Sequence, residues 1–217
     1  MTNLPDAAVQ AFFDRANGLQ GLAETRALYA DWAGSYDATV VRFGAYLSPE
    51  RLAGLVAARC PDRGGPVLDL ACGTGLVGEA LATRGFARLT GVDLSADMLG
   101  QARAKGCYDR LVAGDVAALP DLGRFGVVVC GGALTVGHLG VAALGGMVDL
   151  LAPGGVLVAD VEGGTFAGQG FVAALDRLVA AGLLAGHARE AGHFYAPAPD
   201  EPPHGWFVTA WRGEVES

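Results

Sequence analysis

Several absences narrow this chain before any motif is read. No apolar run approaches the roughly 18 residues that a bilayer-spanning helix needs, so no membrane partner is expected. The opening residues Met1-Thr2-Asn3-Leu4-Pro5-Asp6 carry no basic stretch followed by an apolar one, and no secretory leader is expected. Basic charge is scarce: 15 Lys and Arg stand against 23 Asp and Glu, a formal net charge of −8, with no basic cluster. Phosphate backbones are bound by basic surface, so no nucleic-acid partner is expected. The four cysteines (Cys60, Cys72, Cys107, Cys130) are scattered, with no C-x-x-C pair. This spacing argues against a disulfide framework and a structural zinc site, and fits a reducing cytoplasm. His187, His193 and His204 have no partner at metal-ligand spacing and read as hairpin residues, so no metal is expected.

What is present is core material. With 217 residues, 52% apolar and 18% charged, the chain can build one full core and carry a lid. The β-branched runs Val67–Leu70, Leu89–Val92, Leu111–Ala113, Val127–Cys130 and Val156–Val161 predict strands. Helical stretches at Leu76–Thr83 and Ala96–Ala104 lie between the first three, with Ser95 as N-cap of the second. A further helix over Val141–Leu151 is expected to stop at Pro153-Gly154-Gly155, which turns into the fifth strand. Strands alternating with helices predict an α/β, doubly wound, Rossmann-like sheet that is mostly parallel.

The last third is different. Phe171–Leu184 reads as an amphipathic helix, with Phe171, Ala174, Leu175, Leu178 and Val179 on one face. Two strand-like runs follow, His193–Ala196 and Trp206–Trp211, separated by Pro197, Pro199, Pro202, Pro203 and Gly205. No helix fits in that connection, so the pair is expected as a C-terminal antiparallel hairpin that completes seven strands. The first 65 residues show no strand pattern. They predict helices over Asp6–Ala16, Gln20–Ala30 and Pro49–Ala58. The expected division is a helical lid segment over residues 1–65 and one compact unit over 66–217.

The most telling stretch is Val67-Leu68-Asp69-Leu70-Ala71-Cys72-Gly73-Thr74-Gly75, with Gly78 after it. An apolar strand here runs into a glycine-rich turn, where ligand can approach bare backbone. Asp93 closes another apolar run 18 residues beyond Gly75, about where a ribose-binding acid belongs in a βαβ unit. Together they predict an adenosine-type cofactor. Gly73-x-Gly75-x-x-Gly78 also spells G-x-G-x-x-G, so a nicotinamide-dependent oxidoreductase is the alternative enzyme, and a non-catalytic cofactor-binding module is the alternative outside enzymes.

These residues resemble the class I S-adenosylmethionine-dependent methyltransferases. The first motif matches Asp69–Gly75, the post-motif acid Asp93, and the next motif Ala113-Gly114-Asp115-Val116. The strand-four motif matches Phe125–Cys130, and the turn before strand five Leu151–Gly155. Tyr29-Ala30-Asp31-Trp32-Ala33-x-x-Tyr36-Asp37 and the loop Gly132–His138 are similar to one subgroup, the Williams–Beuren-region methyltransferase-like proteins. In two places the chain departs from the pattern: Ala71 replaces the first motif glycine, and Asp31 stands one place late in the lead-in.

The resemblance implies S-adenosylmethionine as cofactor and S-adenosylhomocysteine as product. It implies that Ala71, Gly73 and Gly75 bring backbone against the cofactor. Asp69 orients its ammonium, directly or through water, and capping the glycine loop is a second, compatible role for it. Asp93 accepts the ribose hydroxyls, Asp115 and Val116 meet the adenine edge, and Leu94 and Met98 flank the ring. Cys130 closes the strand-four motif beside the cofactor. Tyr29, Trp32 and Tyr36 close over the methionine end, although aromatics at that spacing also suit a buried helix face. His138, beyond strand four, is the candidate general base or a packing residue. The expected acceptor is a small molecule. Monomer and homodimer both remain open.

Overall fold

The expected apolar runs assemble side by side into one sheet. The computed structural model describes residues 46–135 and 138–214 and, ahead of them, Glu24, Ala27, Leu28, Asp31, Ala33, Gly34, Tyr36 and Asp37. The strands are β1 (Pro66–Leu70), β2 (Arg88–Asp93), β3 (Arg110–Ala113), β4 (Phe125–Leu134), β5 (Leu151–Glu162), β6 (Gly186–Gly192) and β7 (Gly205–Trp211). Their order is β3-β2-β1-β4-β5-β7-β6. β1 to β5 are parallel, and β7 runs antiparallel to both β5 and β6. The expected Rossmann-like seven-stranded sheet is therefore observed.

The helices are α1 (Ser48–Arg59), α2 (Leu76–Ala82), α3 (Ala96–Lys105), α4 (Ala143–Asp149), α5 (Gly163–Gly168) and α6 (Phe171–Ala180). Strand side chains alternate between faces, which splits the core. Leu68, Leu70, Val128, Leu157 and Val161 pack with α4, α5 and α6 on one face. Val67, Val127, Val129 and Val158 pack with Leu52, Ala53 and Val56 of α1 and with Val77 and Leu81 of α2 on the other. Residues 48–59 of the segment expected as a lid are thus a core helix. The remaining expected helices, over Asp6–Ala16 and Gln20–Ala30, fall mostly outside the described residues. Among the described residues no helix is long and apolar enough to cross a membrane.

Three local expectations need correction. The first hairpin strand is Gly186–Gly192, not His193–Ala196. Among the described residues it is an edge strand bonded to β7 alone, so polar side chains suffice and the apolar signal is weak. The apolar run after it pairs elsewhere. The Phe194 carbonyl accepts from the amides of Leu47 (2.7 Å) and Ser48 (3.3 Å). Tyr195 bridges Tyr46, with ring centroids 5.0 Å apart. Second, Pro153-Gly154-Gly155 lies inside β5 as an irregularity, where the register shifts between Phe125 and Val127, so the helix before it is shorter, Ala143–Asp149. Third, α6 ends at Ala180 because Gly182 takes φ +72°, and the Gly182 and Leu183 amides close back on the Val179 and Leu178 carbonyls.

Candidate functional site

The strand order reverses direction between β1 and β4, and in a doubly wound sheet ligands lie in the crevice at the carboxyl ends of such strands. The glycine loop leaves β1 there. Gly73 has φ +54°, and a Cβ on it would meet none of the described residues within 4 Å, so among them open space lies on that side of the backbone. Ala71 also sits at φ +54°, a conformation strained for alanine, so it holds by strain a place that glycine would take freely. Gly75 (φ +88°) needs glycine for its conformation too, but the direction a side chain would take is filled by the Tyr108 ring and Ala102.

Asp93, at the end of β2, organises this loop. Its Oδ2 accepts from the Gly73 amide at 2.8 Å and its Oδ1 from the Ser95 amide at 2.8 Å. Loop capping, the second role considered for Asp69, is therefore carried out by Asp93. Ser95 caps α3 as expected, accepting from the Met98 amide at 3.3 Å. The Gly114 amide donates to the Asp93 carbonyl at 2.9 Å, which brings the Asp115–Val116 turn alongside. A carboxylate oxygen accepts more than one hydrogen bond, so Asp93 retains lone pairs for ribose hydroxyls.

Asp69 is 1% exposed. Its Oδ2 accepts from the Tyr108 hydroxyl at 2.6 Å. Its Oδ1 has no hydrogen-bond partner among the described residues. Burial pushes this carboxyl up to about 7, against the pull of the Tyr108 hydroxyl. A buried acceptor left unpaired at the base of a glycine loop fits the ammonium of S-adenosylmethionine, as the open space before Gly73 fits a ligand against backbone.

The other expected residues divide. Leu94 is half-buried at the crevice edge. Met98 is 1% exposed, so in this conformation its side chain offers no open face to a ring. Cys130 is fully buried at the level of Leu70 in the core, which leaves at most its backbone for a ligand. Tyr29 and Trp32 lie outside the described residues. Tyr36 is half-buried, and its neighbour Asp37 is tied to the glycine loop. Thr74 donates its hydroxyl to Asp37, and Lys105 Nζ bridges Asp37 at 2.7 Å and Glu79 at 3.1 Å. His138 stands just past the end of β4 in a tight turn, with its amide on the Thr135 carbonyl (3.1 Å) and the Leu139 amide on the Ala133 carbonyl (3.0 Å). A cavity of about 430 Å³ lined by Leu70, Val116, Leu119 and Met147 lies beside the Asp115–Val116 turn, but it includes neither the glycine loop nor Asp69 or Asp93.

Sequence reasoning did not single out Tyr108, Lys105 or the pair Ser48–Asp160. Ser48, at the start of α1, donates its hydroxyl to Asp160 on β5, whose other oxygen accepts from the Gly132 amide at 2.7 Å. Burial pushes Asp160 up to about 6. Only contact across 112 residues reveals this pair, so no local signal marks it. All four cysteines are free, and burial pushes the Cys72 and Cys130 thiols well up.

The buried acids set a pH dependence. Asp69 and Asp160 hold protons more tightly folded, at about 7 and about 6, than at the ordinary value of 3.8. Their contribution to stability is therefore complete below the ordinary value and is lost as pH rises through 6 to 7. The melting temperature of the ligand-free protein should fall from pH 5 to pH 8, and fall less in Asp69→Asn. A melting temperature that climbs across this window contradicts the assignment.

Comparison with known proteins gives the same picture. A family model described as a methyltransferase domain matches residues 67–155. The human methyltransferase-like protein 27 is 34% identical over 192 residues, covering 85% of this chain and 77% of that protein. The ubiquinone biosynthesis O-methyltransferase of Xylella fastidiosa is 32% identical over 145 residues, covering 64% of this chain and 53% of that protein. Among solved structures, a DhpI–SAH complex shares the fold with a TM-score of 0.61 at 22% identity, over 90% of this chain and 98% of that one. The alternative of a nicotinamide-dependent oxidoreductase gives way to these likenesses. By its likeness to the human relative, the chain belongs to the class I S-adenosylmethionine-dependent methyltransferases.

Proposed function

We propose that this methyltransferase acts on a small-molecule acceptor held at the mouth of the crevice between β1 and β4. The observation that carries this reading is the charge: a chain at −8 without a basic cluster is ill suited to nucleic acid. The name of the Xylella relative, which refers to ubiquinone biosynthesis, supports it.

When bound, the cofactor supplies a methyl group already activated on a positively charged sulfur. The chain's own residues then align, shield and, where the acceptor arrives protonated, take up a proton. Asp69 Oδ1 receives the ammonium, Asp93 the ribose hydroxyls, and the Asp115–Val116 turn the adenine edge. The Thr74–Asp37–Lys105 contact draws Tyr36 to the glycine loop, where it helps to exclude water. His138, on the neighbouring strand end, is the candidate base.

Calorimetry and a methyl-transfer screen test this together. S-adenosylhomocysteine should bind in the micromolar range, roughly −8 kcal/mol, and NADH should not bind at the same concentration. Labelled methyl should appear in small hydroxyl or amine compounds from a mixed panel. Label that enters only RNA or protein overturns the small-molecule reading.

A further inference from the structure

We propose that Tyr108 is a positioning residue for the cofactor's amino-acid end: its hydroxyl engages Asp69 Oδ2 and thereby leaves Oδ1 to receive the ammonium, while its ring supports the glycine loop from beneath. The inference rests on the reading that Asp69 faces the cofactor.

The chain builds a slot for this ring from three separate elements. A Cβ on Gly75, in the loop, would stand 2.9 Å from the ring's Cε2. One on Gly91, in β2, would stand 3.0 Å from Cε1. One on Gly78, in α2, would collide with the hydroxyl oxygen itself. Gly106 (φ +69°) ends α3 and turns the chain inward, and the Asp109 amide then fixes the next residue on the Leu89 carbonyl at 2.9 Å. Tyr108 is thus held from both sides along the chain, under the loop that Asp93 holds from above.

Packing alone would be served by phenylalanine. The hydroxyl adds one directed bond, 2.6 Å, to a carboxylate buried to 1% exposure. A hydrogen bond to the charged form favours it, so the phenol helps keep Asp69 anionic in surroundings that oppose charge. Burial and the neighbouring carboxylate raise Tyr108 well above the ordinary phenol range, so it remains a donor. Asp69 then has Oδ2 fixed by the phenol and Oδ1 without a hydrogen-bond partner among the described residues, a geometry suited to a single cationic group.

Tyr108→Phe keeps the ring and is expected to fold. Calorimetry from pH 6 to 9 should show S-adenosylhomocysteine binding about tenfold weaker at pH 7. The pH below which binding fades should move up by roughly one unit. 5′-Methylthioadenosine, which lacks the amino-acid end, should bind both proteins alike. In an Asp69→Asn background, itself weakened toward S-adenosylhomocysteine, Tyr108→Phe should add nothing. Unchanged affinity and pH profile in Tyr108→Phe overturn the inference, as does equal weakening toward methylthioadenosine, which marks a general structural role. Normal S-adenosylhomocysteine binding by Asp69→Asn instead overturns the placement of Asp69, and the inference with it.

Discussion

His138→Ala is expected to lower kcat by about 10²–10⁴ for a hydroxyl or protonated-amine acceptor, with affinity for S-adenosylhomocysteine nearly unchanged. The tight turn after β4 sets His138 at the strand end next to β1, while no cofactor contact is assigned to it. From that place it is expected to act on the acceptor rather than on the nucleotide. The measurement is kcat with a methyl acceptor from the screen, beside calorimetry for the cofactor. A wild-type rate removes His138 from the mechanism and leaves alignment alone to explain turnover.

Asp93→Ala should weaken S-adenosylhomocysteine binding roughly ten- to hundredfold, the worth of a charge-assisted pair of hydrogen bonds. Here the loss has two sources. The ribose loses its acceptor, and the Gly73 and Ser95 amides lose theirs, so the glycine loop is no longer held for the ligand. Asp93→Asn retains an acceptor oxygen and should lose less. β2 stays paired to β1 and β3 in either variant, so the ligand-free fold should survive, as circular dichroism would show. Full affinity in Asp93→Ala means that this acid does not meet the ribose.

Legibility followed burial. β1, β2 and β5 were readable because strands covered on both faces are near-continuous in apolar residues, and Asp69 and Asp93 stood out as acids at the ends of such runs. β6 was misplaced because an edge strand needs no apolar face. Asp69 and Asp93 stand out in the sequence, but not the division of labour between them: that Asp93 caps the loop, and that Asp69 answers to Tyr108, depends on contacts across 20 and 39 residues. In the sequence Ala71 is only a replacement of the first motif glycine. Its positive φ shows instead that the loop's conformation is retained at a cost in strain.

The position of β7 has a consequence for how the molecule is made. Strand β6 emerges from the ribosome before β7, yet β7 lies between β5 and β6. Until Gly205–Trp211 is available, β5 presents an open edge and β6 has no neighbour. Phe207, Val208 and Ala210 are buried on insertion, so β7 closes both core faces at once. Domains fold as units while synthesis proceeds at about 5–20 residues per second. Nascent chains that stop short of Trp206 therefore expose a long apolar strand edge, the kind of surface that chaperones bind and that aggregates extend. Closure of this sheet therefore waits on the strand that follows β6 in the chain and precedes it in the sheet.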